Sequence, residues 1–345
     1  MEILHYYDSK KNIVIESTAN KFVLSIHGVE HHVSIALGFV KHLMSRIKIL
    51  RRLLRLNKSN ALPIFKDGNL FSIVILYQSR VWVWREGKVT PVLDLDDCRN
   101  VMHGSILQIE SGEIFFGEYG SNPKRSHSVP IFRSSDYGFS WSIVYEFFAG
   151  SIKHIHNIQW DPYEEKLWVC TGDRDGESRV IKSDKFFSKV EVVGGGDQRW
   201  RTCHFFFQPS CVVWGMDSPL EKPSIMKLDR SSLTLQRVSD VLGPVWYGRQ
   251  ISGVGYFITT SVEPTKYEHD KKSRIYFSAN LEHWEEIFSV EKDFLPYQFK
   301  YGSIHFSSGG DSLTDVFVGF EALRALDGKM FKMNSLNLKK SSTYD

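Results

Sequence analysis

The chain has 345 residues, 42% of them hydrophobic and 24% charged, with a formal net charge of +3. This balance excludes disorder, collagen and coiled coil as the main state and allows one large domain or two. So small a net charge gives no ground for a nucleic-acid partner, whereas a 14% share of Phe, Trp and Tyr suits β-strands and sugar-stacking surfaces.

The opening run MEILHYYDSKKNIV lacks a basic segment followed by an apolar core, and no stretch of about 18 uncharged apolar residues occurs. The expectation is a cytoplasmic chain with neither a secretory leader nor a membrane-spanning helix. Cys98, Cys170, Cys203 and Cys211 are widely spaced and form no C-x-x-C pair. They read as buried free thiols in a reducing compartment.

After two short strand-like runs, NIVIES and KFVLSI, the charge becomes one-sided. From His31 to Lys66 there are eight Lys or Arg and no acid, which leaves the rest of the chain net acidic. Within it, residues 35–56 are predicted to form a basic amphipathic helix. Ile35, Phe39, Val40, Leu43, Ile47, Leu50, Leu53 and Leu54 share one arc, while Lys41, Lys48, Arg51, Arg52 and Arg55 fall opposite. Such a helix either packs its apolar arc on the protein or lies on an anionic membrane surface, here the inner membrane face.

From about Leu62 the texture changes to short apolar or alternating runs separated by Gly, Asp, Asn, Ser and Pro, the pattern of an all-β fold. Five openers recur, VMHGSI at Val101, HIHNIQ at His154, WRTCHF at Trp200, WYGRQI at Trp246 and YGSIHF at Tyr301. After each comes a turn and then a strand ending near an acid: Glu118, Asp173, Asp217, Glu263 or Glu321. The period is that of four-stranded propeller blades. Six blades are expected, the sixth from LFSIVILY and VWVW completed by the amino-terminal strands. The predicted organisation is amino-terminal strands plus helix over 1–61, a β-propeller over 62–333 and a polar tail over 334–345.

Ser134-Ser135-Asp136-Tyr137-Gly138-Phe139-Ser140-Trp141 fits S-x-D-x-G-x-S-W. Phe277 to Trp284 looks like a worn copy of it, and Ile181-Lys182-Ser183-Asp184 like a truncated one. On these residues the chain resembles the sialidase-like, Asp-box-repeat propeller superfamily over about four fifths of its length. That superfamily includes sialidases, other glycosidases, polysaccharide lyases and non-enzymatic modules. The resemblance implies a structural role for Asp136 at a blade's periphery and a ligand site on the propeller axis. The early F-R-I-P motif of working sialidases is absent. By order and residue type, the resemblance would give Arg201 and Arg249 as partners for a sugar carboxylate and Tyr301 as a nucleophile.

The openers and second-strand ends supply the candidate site. Glu118, Asp173, Asp217 and Glu263 would serve acid/base or nucleophilic roles, and Tyr301 a nucleophilic one beside a carboxylate. Trp200, Tyr247, Tyr119, His103, Gln159, Arg201 and Arg249 would bind substrate. His154 and His156 alternate with Ile155, and a divalent cation, Mn or Ca, would find two ligands there. This H-x-H is similar to that of propeller-fold oligogalacturonate lyases, although a metal-free pair satisfies the same pattern. Trp246 is a further stacking candidate.

The leading expectation is an enzyme acting on a glycan, such as an acidic surface polysaccharide or its lipid-linked precursor, by hydrolysis, transfer or β-elimination. Its class would be glycoside hydrolase, transglycosidase or polysaccharide lyase. The alternative is a non-catalytic glycan- or protein-binding propeller scaffold at the membrane surface. The two differ in whether the acids and arginines pair off with each other.

Overall fold

The computed structural model describes residues 2–336. Among these, β-strands gather into seven sheets in which sequence neighbours pair in an antiparallel meander. The first holds β1 (Ile3–Asp8), β2 (Ile13–Thr18), β3 (Lys21–Ile26) and β4 (Val29–Ser34). The second holds β5 (Ser59–Lys66), β6 (Asn69–Tyr77), β7 (Arg80–Arg85) and β8 (Lys88–Asp94). The third holds β9 (Leu107–Gln108), β10 (Ile114–Gly117), β11 (Val129–Ser134) and β12 (Ser142–Phe147). Next come β13 (His154–Asp161), β14 (Lys166–Gly172), β15 (Arg179–Ser183) and β16 (Val190–Gly195). The fifth has β17 (Phe205–Phe207), β18 (Cys211–Gly215), β19 (Ser224–Asp229) and β20 (Leu235–Asp240). The sixth has β21 (Val245–Ile251), β22 (Gly255–Thr260), β23 (Lys272–Ser278) and β24 (Glu285–Glu291). The last has three strands, β25 (Ser303–Phe306), β26 (Phe317–Glu321) and β27 (Met330–Lys332).

These are the blades of a β-propeller, and there are seven, not the expected six. The amino-terminal strands do not complete a later blade but form one of their own. Its outermost strand, Val-Glu-His-His-Val-Ser, is largely exposed and polar, so no apolar run marks it in the sequence.

Two compact units divide the chain. Unit 1 comprises residues 1–158 with 307–310, and unit 2 comprises residues 159–306 with 311–345. In unit 1, the late segment Ser307–Gly310 returns to β1, where Ser308 exchanges backbone hydrogen bonds with His5 and Tyr7 at 2.9 and 3.0 Å. The tail expected over 334–345 lies, from residue 337 onward, outside the described residues.

Burial falls from the second strand of a sheet to the fourth. Along β6, Ile73, Ile75 and Tyr77 pack with Ile13, Ile15 and Phe22, while Val74 and Leu76 pack with Val83, Ile114 and Phe116. In unit 2, Val212 and Trp214 of β18 join Trp168 and Phe205, whereas Val213 joins Val245 and Ile258. A strand covered on both faces reads as an unbroken apolar run, which is why the second strands are conspicuous in the sequence. The fourth strands β8, β12, β16 and β20 are mostly exposed or half-buried. All four cysteines are buried free thiols, and burial pushes Cys98 up to about 12.

The single helix expected over 35–56 is replaced by two short ones, α1 (Phe39–Met44) and α2 (Lys48–Leu53). Between them Ile47 is extended, with φ −103° and ψ 117°, and the Ser45 hydroxyl donates to the carbonyl of His42 at 2.6 Å. A β-branched residue in β geometry ends the helical run. Most of the predicted apolar arc is not packed inward: Phe39, Val40, Leu43, Ile47 and Leu53 are exposed and Leu50 and Leu54 half-buried, whereas Ile35, ahead of α1, and the charged Arg52 are buried.

Turn chemistry sets the registers. Asp67-Gly68 and Glu86-Gly87 have positive φ at both residues, the two-residue hairpin that matches strand twist. The S-x-D-x-G-x-S-W run links β11 to β12, the third and fourth strands of their blade. Asp136 accepts from the Ser140 amide at 2.8 Å, the Ser140 hydroxyl at 2.6 Å and the Ser134 hydroxyl at 2.8 Å. Trp141 donates to the Gly138 carbonyl at 2.9 Å. At Gly138, φ is +98° and a Cβ would stand 2.6 Å from Val74. The corresponding turn at 278–284 keeps this scheme, with Asn280 accepting from the amides of Glu282 and His283 at 3.0 and 3.1 Å. Asp184 and Asp229 cap their third-to-fourth-strand turns in the same way, and the second of these carries no motif in the sequence. Asp136→Ala is expected to lower unfolding free energy by about 1–2 kcal/mol, measured by chemical denaturation.

Candidate functional site

The acids singled out in the sequence occupy equivalent places. Glu118 follows β10, Asp173 follows β14, Asp217 lies two residues past β18, Glu263 lies three past β22, and Glu321 closes β26. A strand buried on both faces has no room for a charge along its length, so the first carboxylate comes where the strand ends.

In unit 2, the 3₁₀ turn Gln198–Trp200 delivers Arg201 between two of these acids. Arg201 Nη1 donates to the Asp173 carbonyl at 3.0 Å, and Nη2 lies 3.3 Å from the Asp173 carboxylate. Its Nε donates to Asp217 Oδ2 at 3.3 Å. Burial opposes the guanidinium charge, but Asp217 and Asp173 outweigh it and hold the pKa above its ordinary value. Asp217, 3% exposed, also accepts from Trp246 Nε1 at 2.9 Å and from the Cys203 thiol at 3.5 Å. The Cys203 thiol is pushed well up, by burial first and then by Asp217.

Glu263 differs from its neighbours. It is half-buried and accepts from the Ser261 hydroxyl at 3.0 Å. Burial pushes its carboxyl up to about 7, the nearby Asp217 charge adds to the rise, and Arg201 only partly offsets it. An antiparallel bridge joins Val262 to Gly302, so Glu263 and Tyr301 are each a chain neighbour of that bridged pair. Tyr301 is exposed, with an edge contact to Trp246 at 6.1 Å and a tilted one to Tyr297 at 5.9 Å. Ser261 and Tyr297 escaped the sequence reading. Tyr297 sits in a loop outside the blade period, and nothing in the sequence marks Ser261 as a partner of Glu263.

Other predicted residues have structural employment. Trp200 is buried against Trp214, with ring centroids 5.5 Å apart, so it packs the core and offers no sugar face. Gln159 is held by the Phe205 backbone at 2.7 and 3.3 Å. Arg249 lies beside His204, which burial and then the Arg249 charge push down to about 3. Tyr247 is half-buried between Trp246 and His305. Arg201 is committed to its own two acids, so a two-arginine clamp on a sugar carboxylate is not formed around it.

In unit 1, His154 and His156 do share one strand face, with their Nε2 atoms 3.1 Å apart. His154 Nδ1 lies 3.0 Å from the Gly120 carbonyl, which orients the ring with Nε2 toward His156. Tyr119 stacks on His154 at 4.2 Å, and Lys58 stands over Tyr119 at 5.7 Å. These two Nε2 atoms are where a cation would find imidazole ligands in this unit; the same spacing serves an imidazole–imidazole hydrogen bond. Glu118 is pushed up to about 7 by burial and then by Asp97. His103 is half-buried and near His5, which burial and then His103 lower to about 3.

No protein-family description and no curated protein matches the chain in sequence. Solved structures match it in fold. A chain in the crystal structure of the mitotic checkpoint complex is 11% identical over 93% of this chain and 87% of its own, with a TM-score of 0.52. The GH74 xyloglucanase from Xanthomonas campestris is 11% identical over 83% of this chain and 45% of its own, TM-score 0.53. A puromycin-hydrolysing peptidase of Mycobacterium tuberculosis is 12% identical over 91% and 49%, TM-score 0.52. Likeness at such identity shows the propeller fold alone.

Two outcomes test this site. Folding loads a proton onto Glu263, and another onto Glu118, between their ordinary 4.5 and about 7. Folded stability therefore falls as pH rises through that window. Glu263→Gln should lessen the fall and be more stable than the wild type at alkaline pH in denaturant titrations. Arg201→Ala leaves Asp217 buried without its cation and should cost about 3–5 kcal/mol, read from the same titrations.

Proposed function

We propose that unit 2 carries a glycan-processing site in which Glu263 is the proton donor and Asp173 the second carboxylate. The observation that carries this reading is Glu263 itself, a half-open carboxyl whose proton is held to about pH 7 beside other acids. A general acid for glycosidic-oxygen protonation needs such a raised pKa while its partner carboxylate carries charge. Asp217 is too buried and too fully bonded for the partner role, whereas Asp173 keeps a half-open surface and an ion pair with Arg201. Trp246, Tyr297 and Tyr301 offer aromatic faces in contact with one another, and Tyr301, beside the bridge that adjoins Glu263, would serve as the nucleophile in a tyrosine variant of the reaction. Arg201 is spent on its own acids, which favours an uncharged sugar over an acidic one.

The same engagement of Arg201, together with the hold of Phe205 on Gln159, favours a second reading, a non-catalytic glycan- or protein-binding propeller. Oligosaccharides of neutral and acidic sugars, screened by thermal shift and by release of reducing ends, separate the two. The enzyme reading expects turnover of a neutral oligosaccharide that Glu263→Gln lowers by roughly 100-fold or more while binding persists. Trp246→Ala should weaken binding instead. Stabilisation without turnover would select the binding module, and no response to any sugar would remove the glycan from both readings. Stabilisation that needs Mn or Ca and is lost in the His154→Ala/His156→Ala variant would move the site to the imidazole pair.

A further inference from the structure

We propose that residues 39–55, the excursion between β4 and β5, form a docking surface for an anionic lipid bilayer. This is independent of the glycan reading. The first observation is exposure. Phe39 is 83% exposed, Val40 65%, Leu43 54%, Ile47 52%, Ile49 47% and Leu53 47%. Scattered exposed apolar side chains are ordinary, but six within one short excursion make a patch that calls for a partner. The only residue of α1 or α2 that is buried is a charged one, Arg52.

The second observation is charge. Lys41, Arg46, Lys48 and Arg55 are exposed among these apolar groups, and no acid occurs between residues 31 and 66. Arg51 is set apart, because it pairs with Glu2 and reaches back to the Ser45 carbonyl. Apolar groups interleaved with cations match the chemistry of a headgroup layer over acyl chains, where the former insert and the latter meet phosphate or carboxylate. The net-acidic remainder of the chain would be repelled by the same surface, so the contact has one preferred orientation. Among the described residues no helix is long and apolar enough to cross a membrane, and docking requires none.

The test uses the full chain and flotation with vesicles of phosphatidylcholine alone, or of phosphatidylcholine and phosphatidylserine in equal parts. Binding is expected only to the anionic vesicles, and it should weaken as salt is raised. Arg46→Glu/Lys48→Glu and Phe39→Ser/Leu43→Ser should each weaken it by roughly tenfold or more. Neither pair is buried, so thermal melts of both variants should match the wild type. Absence of wild-type binding at low salt overturns the proposal, as do equal binding to neutral vesicles and unchanged binding by both variants. Self-association in sedimentation that Phe39→Ser/Leu43→Ser abolishes, without vesicle binding, would assign the surface to a second copy and overturn it too.

Discussion

Two-sided burial of the second strands governs this molecule. Neighbouring residues of β6, or of β18, belong to two different cores. Neither face can hold a polar group without a partner, since an unpaired charge there costs several kcal/mol. Polar chemistry is thereby displaced to the strand ends, where Glu118, Asp173, Asp217, Glu263 and Glu321 stand. The placement of these acids is thus a by-product of how the blades pack, and a partly desolvated setting raises Glu118 in unit 1 and Glu263 in unit 2.

What separates those acids is the company each keeps. Asp217 receives a guanidinium, an indole and a thiol, so its charge is fully accommodated and it serves the fold. Glu263 receives one hydroxyl, and burial, followed by the field of Asp217, holds its carboxyl above the usual carboxylate range. The same strand-end position yields a buried ion pair in one blade and a carboxyl with a raised pKa in the next. Arg201 decides between them by lying with Asp173 and Asp217.

The propeller class was legible because second strands such as β6, β14 and β18 are largely apolar and recur at blade spacing. The count was not, because the outer strand of the amino-terminal blade carries little apolar signal: Val29–Ser34 is polar and exposed. The positions of the acids were legible from strand ends, whereas their pairing was not. Nothing in the sequence distinguishes an arginine aimed at a ligand from one aimed at Asp217. The basic segment shows a different gap. Its amphipathic arc was readable at helical spacing, but extended Ile47 breaks the helix and most of the arc faces outward. Only Asp229, with no motif around it, repeats the turn scheme without warning.

The four buried thiols carry a consequence for experiment. Cys98 lies in unit 1, while Cys170, Cys203 and Cys211 lie in unit 2. Burial shields these thiols from alkylating reagents, and at Cys98 and Cys203 a raised pKa also makes the thiolate scarce. Labelling then proceeds only through opening of the surrounding structure. The native chain thus contains its own clocks for local unfolding, one in the first unit and three in the second, readable peptide by peptide without introducing any probe.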